Sequence, residues 1–192
     1  MKVSVNKFRT PVELAEKLAE EIVRRITHSA TSERNYSIAF SGGSTPELLY
    51  SLLGNEYSKA IPWQFIQLFW GDERCVPPES EESNYRLVQK HILDHIDIPH
   101  QNIHRMRGEE DPFAEAERYS DELRILPVRD NLPVFDLQIM GVGEDGHTAS
   151  IFPEYLSLFS SDKFCDVTIH PVSGQRRLTL TGPVLNNSES VV

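Results

Sequence analysis

Short apolar runs alternate along this chain with glycine-rich or charged loops and then with helical patterns, and this alternation constrains the fold more than any other feature. YSIAF (Tyr36 to Phe40) is followed by SGGST and a helical stretch from Pro46 to Leu53. FIQLFW (Phe65 to Trp70) leads through a proline-rich loop into a second helical stretch from Ser83 to Leu93, and FDLQIM (Phe135 to Met140) ends in a loop holding Gly141, Gly143 and Gly146. Apolar runs of strand length separated by amphipathic helices predict an α/β domain with a mainly parallel sheet flanked by helices. In such sheets ligands bind beyond the carboxyl ends of the strands, so these three loops are expected to converge on one crevice.

The remaining segments fit the same plan. From Thr10 to Ser29 the pattern predicts an amphipathic helix, with Thr10 as N-cap, Pro11 in the first turn and Glu13 as the acidic partner of a capping box. Ala15, Leu18, Ala19, Ile22 and Ile26 form its apolar stripe. Further on, a short strand is expected from Ile103 to Met106 and a helix from Pro112 to Ile125. Strands are expected at Cys165 to His170 and Arg177 to Thr181, and a helix start at Gly182 to Leu185. With 192 residues the chain is read as a single domain spanning 1–192.

Charge and composition exclude several classes of function. A formal net charge of −10 without a basic stripe argues against nucleic acid as a partner, so an anionic ligand would have to be held by local backbone N–H groups and a few arginines. No run approaches the length of a membrane span, and MKVSVNKFRT lacks the apolar core of a signal peptide, so a cytoplasmic protein is expected. Cys75 and Cys165 lie far apart without metal-ligand spacing and read as two reduced thiols.

The chemistry sits in the three loops. SGGST lacks the spacing of GxGxxG, of a Walker A loop and of a GxSxG elbow. What Ser41, Gly42, Gly43, Ser44 and Thr45 do offer is close backbone approach, hydroxyl donors and a helix N-terminus, which suits one phosphate monoester. The plainer alternative is a turn with Thr45 as N-cap. In WGDERCVPPESEESNYRL, Asp72, Glu73 and Arg74 follow an apolar strand directly. Arg74 matches the geometry of phosphate oxygens, unless it is held in a structural ion pair. In GVGEDGHTASIFPE the glycines permit a tight path around Asp145 and His147. Imidazole ordinarily titrates near neutrality, so His147 suits general acid–base work, with Asp145 orienting the ring or holding a second polar group. His91, His95, His100 and His104 are read as surface or connector residues, since their spacing does not match HExxH.

Taken together, SGGSTPELLY (41–50), FWGDERCVPPESEESNYRL (69–87), FDLQIMGVGEDGHTASIFPE (135–154) and RRLTLTGPVLNNS (176–188) resemble the 6-phosphogluconolactonase family, in its order and over nearly the whole chain. The resemblance implies a Rossmann-like three-layer α/β fold shared with glucosamine-6-phosphate deaminase and ribose-5-phosphate isomerase. It also implies hydrolysis of 6-phospho-D-glucono-1,5-lactone without metal or cofactor, by water that His147 activates. On this basis Asp145 and Asp72 position the histidine or the sugar hydroxyls, the Ser41 to Thr45 loop and Arg74 take the phosphate, and Asn84 supports the DER segment. Arg177 is implied as a second anion partner by the family's strand motif alone. The alternatives are an amino-sugar-phosphate deaminase or isomerase, whose relatives carry GHIAFNEP in the third motif, and a non-catalytic sugar-phosphate sensor. The expected partner is a small sugar-phosphate lactone, and the expected state a monomer. Similar chains continue with a further strand and helix bearing a lysine near the ligand, which the resemblance implies are lacking from these 192 residues.

Overall fold

The computed structural model describes residues 3–192. Helix α1 (Pro11–Ala30) begins where its caps predict: Thr10 Oγ1 accepts the Glu13 N–H at 3.1 Å. The Glu13 carboxylate, however, accepts from Arg9 N at 2.9 Å rather than from Thr10, so the capping box reaches one residue further upstream than the reciprocal form. Ala15, Ala19, Ile22 and Ile26 are buried as the stripe requires, while Leu18 lies at its margin.

Strands β1 (Tyr36–Phe40), β2 (Ile66–Trp70), β4 (Ile103–His104) and β7 (Leu137–Gln138) form the parallel sheet in the order β4-β2-β1-β7; β3 (Asp72–Arg74) lies between β2 and β4 in sequence and belongs to a second sheet. FDLQIM contributes only the short β7 to this ladder. Its other edge is bonded to the last residues of the chain, Gln138 N donating to Ser190 O at 2.9 Å and Met140 N to Val192 O at 2.7 Å. A hairpin of β5 (Val128–Arg129) and β6 (Leu132–Pro133) precedes β7, a feature the sequence pattern did not announce.

The second sheet, antiparallel in the order β3-β9-β8, pairs β3 and β8 (Cys165–Ile169) with β9 (Arg176–Leu180). This corrects the reading of Asp72 to Arg74 as loop. The switch falls at Gly71, whose N–H donates to Phe40 O of β1 at 2.8 Å and whose carbonyl accepts from Leu180 N of β9 at 2.8 Å. One continuous stretch of chain therefore leaves the parallel sheet and enters the antiparallel one just before the predicted site residues Asp72 and Arg74.

Helices flank this framework. α2 (Glu47–Gly54) packs between α1 and α3 (Asn84–His91), α4 (Pro112–Glu122) lies against β8 and β9, and the short α5 (Gly182–Leu185) follows β9. Phe40, Phe69, Trp70, Tyr50, Tyr119 and Phe135 are fully buried between them, each stabilising the fold by about 1.5–3 kcal/mol through removal of apolar surface from water. Among the described residues no helix is long and apolar enough to cross a membrane.

Candidate active site

The first loop is fastened from below. Tyr50 of α2, fully buried, uses its hydroxyl twice: it accepts from Ser41 N at 3.1 Å and donates to Ser41 O at 2.8 Å. Ser41 is therefore a buried anchor, whereas Gly43, Ser44 and Thr45 are exposed. Thr45 does not cap the helix: α2 starts one residue later than its pattern suggests, with Pro46 at the N-cap position and no side-chain capping bond. The reason is local, since proline fixes its own φ and offers neither an N–H nor a polar side chain. Gly42 lies so close to α3 that a Cβ there would come within 1.8 Å of Asn84 Oδ1.

In the second segment, alternation along β3 divides the charged side chains. Glu73 points toward α3 and is the acceptor for its N-terminus. Its carboxylate receives Asn84 N at 2.6 Å, Tyr85 N at 2.7 Å, Ser83 Oγ at 3.0 Å and Arg74 N at 2.7 Å. Burial pushes the Glu73 carboxyl up to about 7 against the pull of these donors. Sequence reasoning singled out its neighbours and missed Glu73, although Ser83 as the predicted start of a helix was the available signal. Glu73→Ala would strand those donors in the interior, and is expected to cost about 3 kcal/mol. Urea unfolding tests this: the midpoint should fall with the slope unchanged, and a loss below about 1 kcal/mol would mean that water replaces the carboxylate.

Asn84 ties the first two segments together. Its Nδ2 donates to Asp72 O at 2.9 Å and Asp72 Oδ1 at 3.1 Å, while its Oδ1 faces Gly42. On the other side Asp72 Oδ2 accepts from Ser150 Oγ at 2.7 Å. Asp72, Asn84 and Ser150 are all buried.

The third loop turns around its glycines. Gly143 N donates to His147 O at 2.8 Å and Gly146 N to Gly143 O at 3.0 Å, which brings the backbone under the imidazole. A Cβ on Gly143 would lie 2.2 Å from the His147 ring, so any larger residue would push the imidazole out of this position. His147 Nδ1 meets Asp145 Oδ1 at 2.5 Å, and the ring rests on Phe152 at 4.7 Å between centroids. Hydrogen bonding to His147 holds the Asp145 carboxyl below its ordinary value. A carboxylate only accepts, so Nδ1 carries the proton, and in the neutral ring Nε2 presents its lone pair. The His147 side chain keeps 28% of its accessible surface, enough to meet a solute.

Arg74 and Arg177 stand directly opposite each other in the β3–β9 ladder, on the face that also carries Asp72 and Thr179. Arg74 Nη1 donates to Glu82 O, but the buried Nε of Arg74 and of Arg177 has no hydrogen-bond partner among the described residues. Burial, and next the charge of Arg74, hold the Arg177 guanidinium below its ordinary value. Two adjacent guanidinium groups with free donors are complementary to an anion. The structure thus links Gly42, Asn84, Asp72 and the His147 loop through contacts and places both arginines on the Asp72 face. A concavity of 480 Å³ elsewhere, lined by Arg24, Arg34, Tyr36 and Asp136, contains none of the predicted residues. Nor do His91 and His104 join the site: His91 pairs with Glu47 at 3.1 Å, and His104, a buried strand residue rather than a connector, stacks on Phe69.

The sequence model describing glucosamine-6-phosphate isomerases and 6-phosphogluconolactonases matches residues 9–192. The chain belongs to this family. Within it, the chain is similar to the 6-phosphogluconolactonase of Haemophilus influenzae, with 40% identity over 188 residues, covering 96% of this chain and 76% of that protein. Among solved structures it resembles the 6-phosphogluconolactonase of Trypanosoma brucei, at TM-score 0.86 and 29% identity, covering 99% of this chain and 80% of that one. A monomeric glucosamine-6-phosphate deaminase shares the fold at TM-score 0.83 and 20% identity, covering 98% of this chain and 80% of that chain. The expected Rossmann-like α/β family fold is therefore the one observed, its parallel sheet accompanied in this chain by the antiparallel β3-β9-β8 sheet.

Proposed function

We propose that this chain hydrolyses 6-phospho-D-glucono-1,5-lactone to 6-phosphogluconate, the step of the oxidative pentose phosphate pathway carried by the 6-phosphogluconolactonases it is similar to. The observation that carries the chemistry is the Asp145–His147 pair, with Nδ1 engaged at 2.5 Å and Nε2 available as a base. In this reading Nε2 takes a proton from water as the water oxygen attacks the lactone carbonyl. The tetrahedral intermediate then expels the ring oxygen, which takes the same proton back from the imidazolium, and the carboxylic acid product ionises to solvent. Gly43, Ser44 and Thr45, exposed ahead of α2, together with Arg74 and Arg177, are the groups proposed to hold the phosphate. Gly42 and Ser41 set that loop, and Asp145 fixes the imidazole tautomer.

The lactone also opens unaided, so the test is a comparison of rates. Lactone loss followed by NMR, or proton release at constant pH, is expected to exceed the spontaneous rate in proportion to enzyme concentration. Ammonia release or ketose formation from hexosamine 6-phosphate in place of lactone turnover would instead support a deaminase or isomerase. Binding of 6-phosphogluconate with no turnover of either substrate would make the chain a sensor.

A further inference from the structure

Ser150 lies two residues beyond Thr148, at the end of a tight turn in which Ile151 N donates to Thr148 O at 3.0 Å. Only Thr148 and Ala149 separate it from His147. It is 2% exposed, and every polar group it has is engaged by another element. Its N–H donates to Thr179 Oγ1 of β9 at 3.1 Å, its carbonyl accepts from Thr168 Oγ1 of β8 at 2.9 Å, and its hydroxyl donates to Asp72 Oδ2 of β3 at 2.7 Å. Asp72 is in turn held through Oδ1 by Asn84, against which Gly42 packs.

Resting on the lactonase reading above, we infer that Ser150 is a positioning residue for this reaction. Its bond to Asp72 fixes the distance between the Asp145–His147 pair and the phosphate-binding segment. The backbone bonds to Thr168 and Thr179 anchor the loop to β8 and β9. The hydroxyl adds the direct link to Asp72 of β3, and through Asn84 to the first loop. A substrate held by its phosphate at one end and attacked at its carbonyl at the other is sensitive to that spacing, because a shift of about 1 Å in a reacting group can cost a hundredfold in rate.

The test compares wild type, S150A, D72A and the double variant for lactone turnover above the spontaneous rate, with calorimetric binding of 6-phosphogluconate as the second readout. S150A keeps both backbone bonds and is expected to lower kcat by about ten- to hundredfold, while the product dissociation constant stays within about twofold. The double variant is expected to be no slower than D72A, because both substitutions break the same link. Should S150A fail to fold, S150C, which keeps a weak S–H donor, is expected to show a partial loss of kcat, and full activity in S150C would then overturn the inference. Wild-type kcat in S150A, losses that multiply in the double variant, or product binding weakened as much as kcat would each overturn it. A wild-type protein no faster than the spontaneous reaction defeats the lactonase reading and this inference with it, whereas an active wild type beside an equally active S150A defeats the inference alone.

Discussion

Replacing His147 with alanine is expected to lower kcat for the lactone by about 10² to 10⁴, leaving binding of 6-phosphogluconate close to that of the wild type. The size follows from the proposed role of the imidazole: a base that removes a proton as the water oxygen bonds to carbon contributes in the transition state and not in the ground state. The groups proposed to hold the phosphate lie on separate elements, so product binding is expected to stay unchanged. Asp145 gives an independent check of the same assignment. With Nδ1 on the carboxylate at 2.5 Å, the neutral ring is held in the tautomer whose lone pair is on Nε2. An amide at this position can donate to Nδ1 and so stabilise the opposite tautomer, in which Nε2 carries the proton and cannot act as base. Asp145→Asn should therefore lose activity without losing product affinity. Steady-state rates corrected for spontaneous opening decide the matter: an His147→Ala variant as fast as wild type would remove His147 from the chemistry.

Gly42→Ala is expected to damage substrate binding more than any other single-methyl change in the first loop, raising KM at least tenfold and destabilising the fold by about 1–3 kcal/mol. The added Cβ would lie 1.8 Å from Asn84 Oδ1 and 2.4 Å from Asn84 Cγ. Asn84 has little freedom to yield: it is 1% exposed, its amide nitrogen donates twice to Asp72, and its backbone N–H is bound to Glu73. Either Asn84 abandons Asp72 or the loop shifts outward, and both move the proposed phosphate cradle. Rates over a range of lactone concentration, with thermal unfolding beside them, separate the two effects. An unchanged KM would show that the loop does not meet the substrate.

Several of the sequence expectations and outcomes differ for identifiable physical reasons. The DER triplet carries no apolar alternation, so its sequence predicts a loop after the apolar strand. It forms a strand nonetheless, because β9 supplies its ladder partners and each charged side chain has its own environment: Asp72 on Asn84 and Ser150, Glu73 on the α3 N-terminus, Arg74 beside Arg177. Thr45 failed as a cap because Pro46 displaced the helix start by one residue. FDLQIM is strand-like along its length, but its ladder divides between β1 and the chain's last residues.

What the sequence by itself determined was local: the alternation of buried runs and amphipathic helices, hence the α/β framework, and the residue types in each loop that could hold a phosphate or move a proton. These are legible because apolar periodicity, caps and glycine placement act over a few residues. Tertiary structure alone decided which of those groups meet. Asp72 reaches Ser150 across 78 residues of chain, Arg74 faces Arg177 through sheet register, and Gly42 must be glycine because Asn84 of another element occupies the space. Such pairings are fixed by strand register, and by the requirement that polar groups removed from water find partners wherever the fold brings them. Neither is written in any short stretch of the chain.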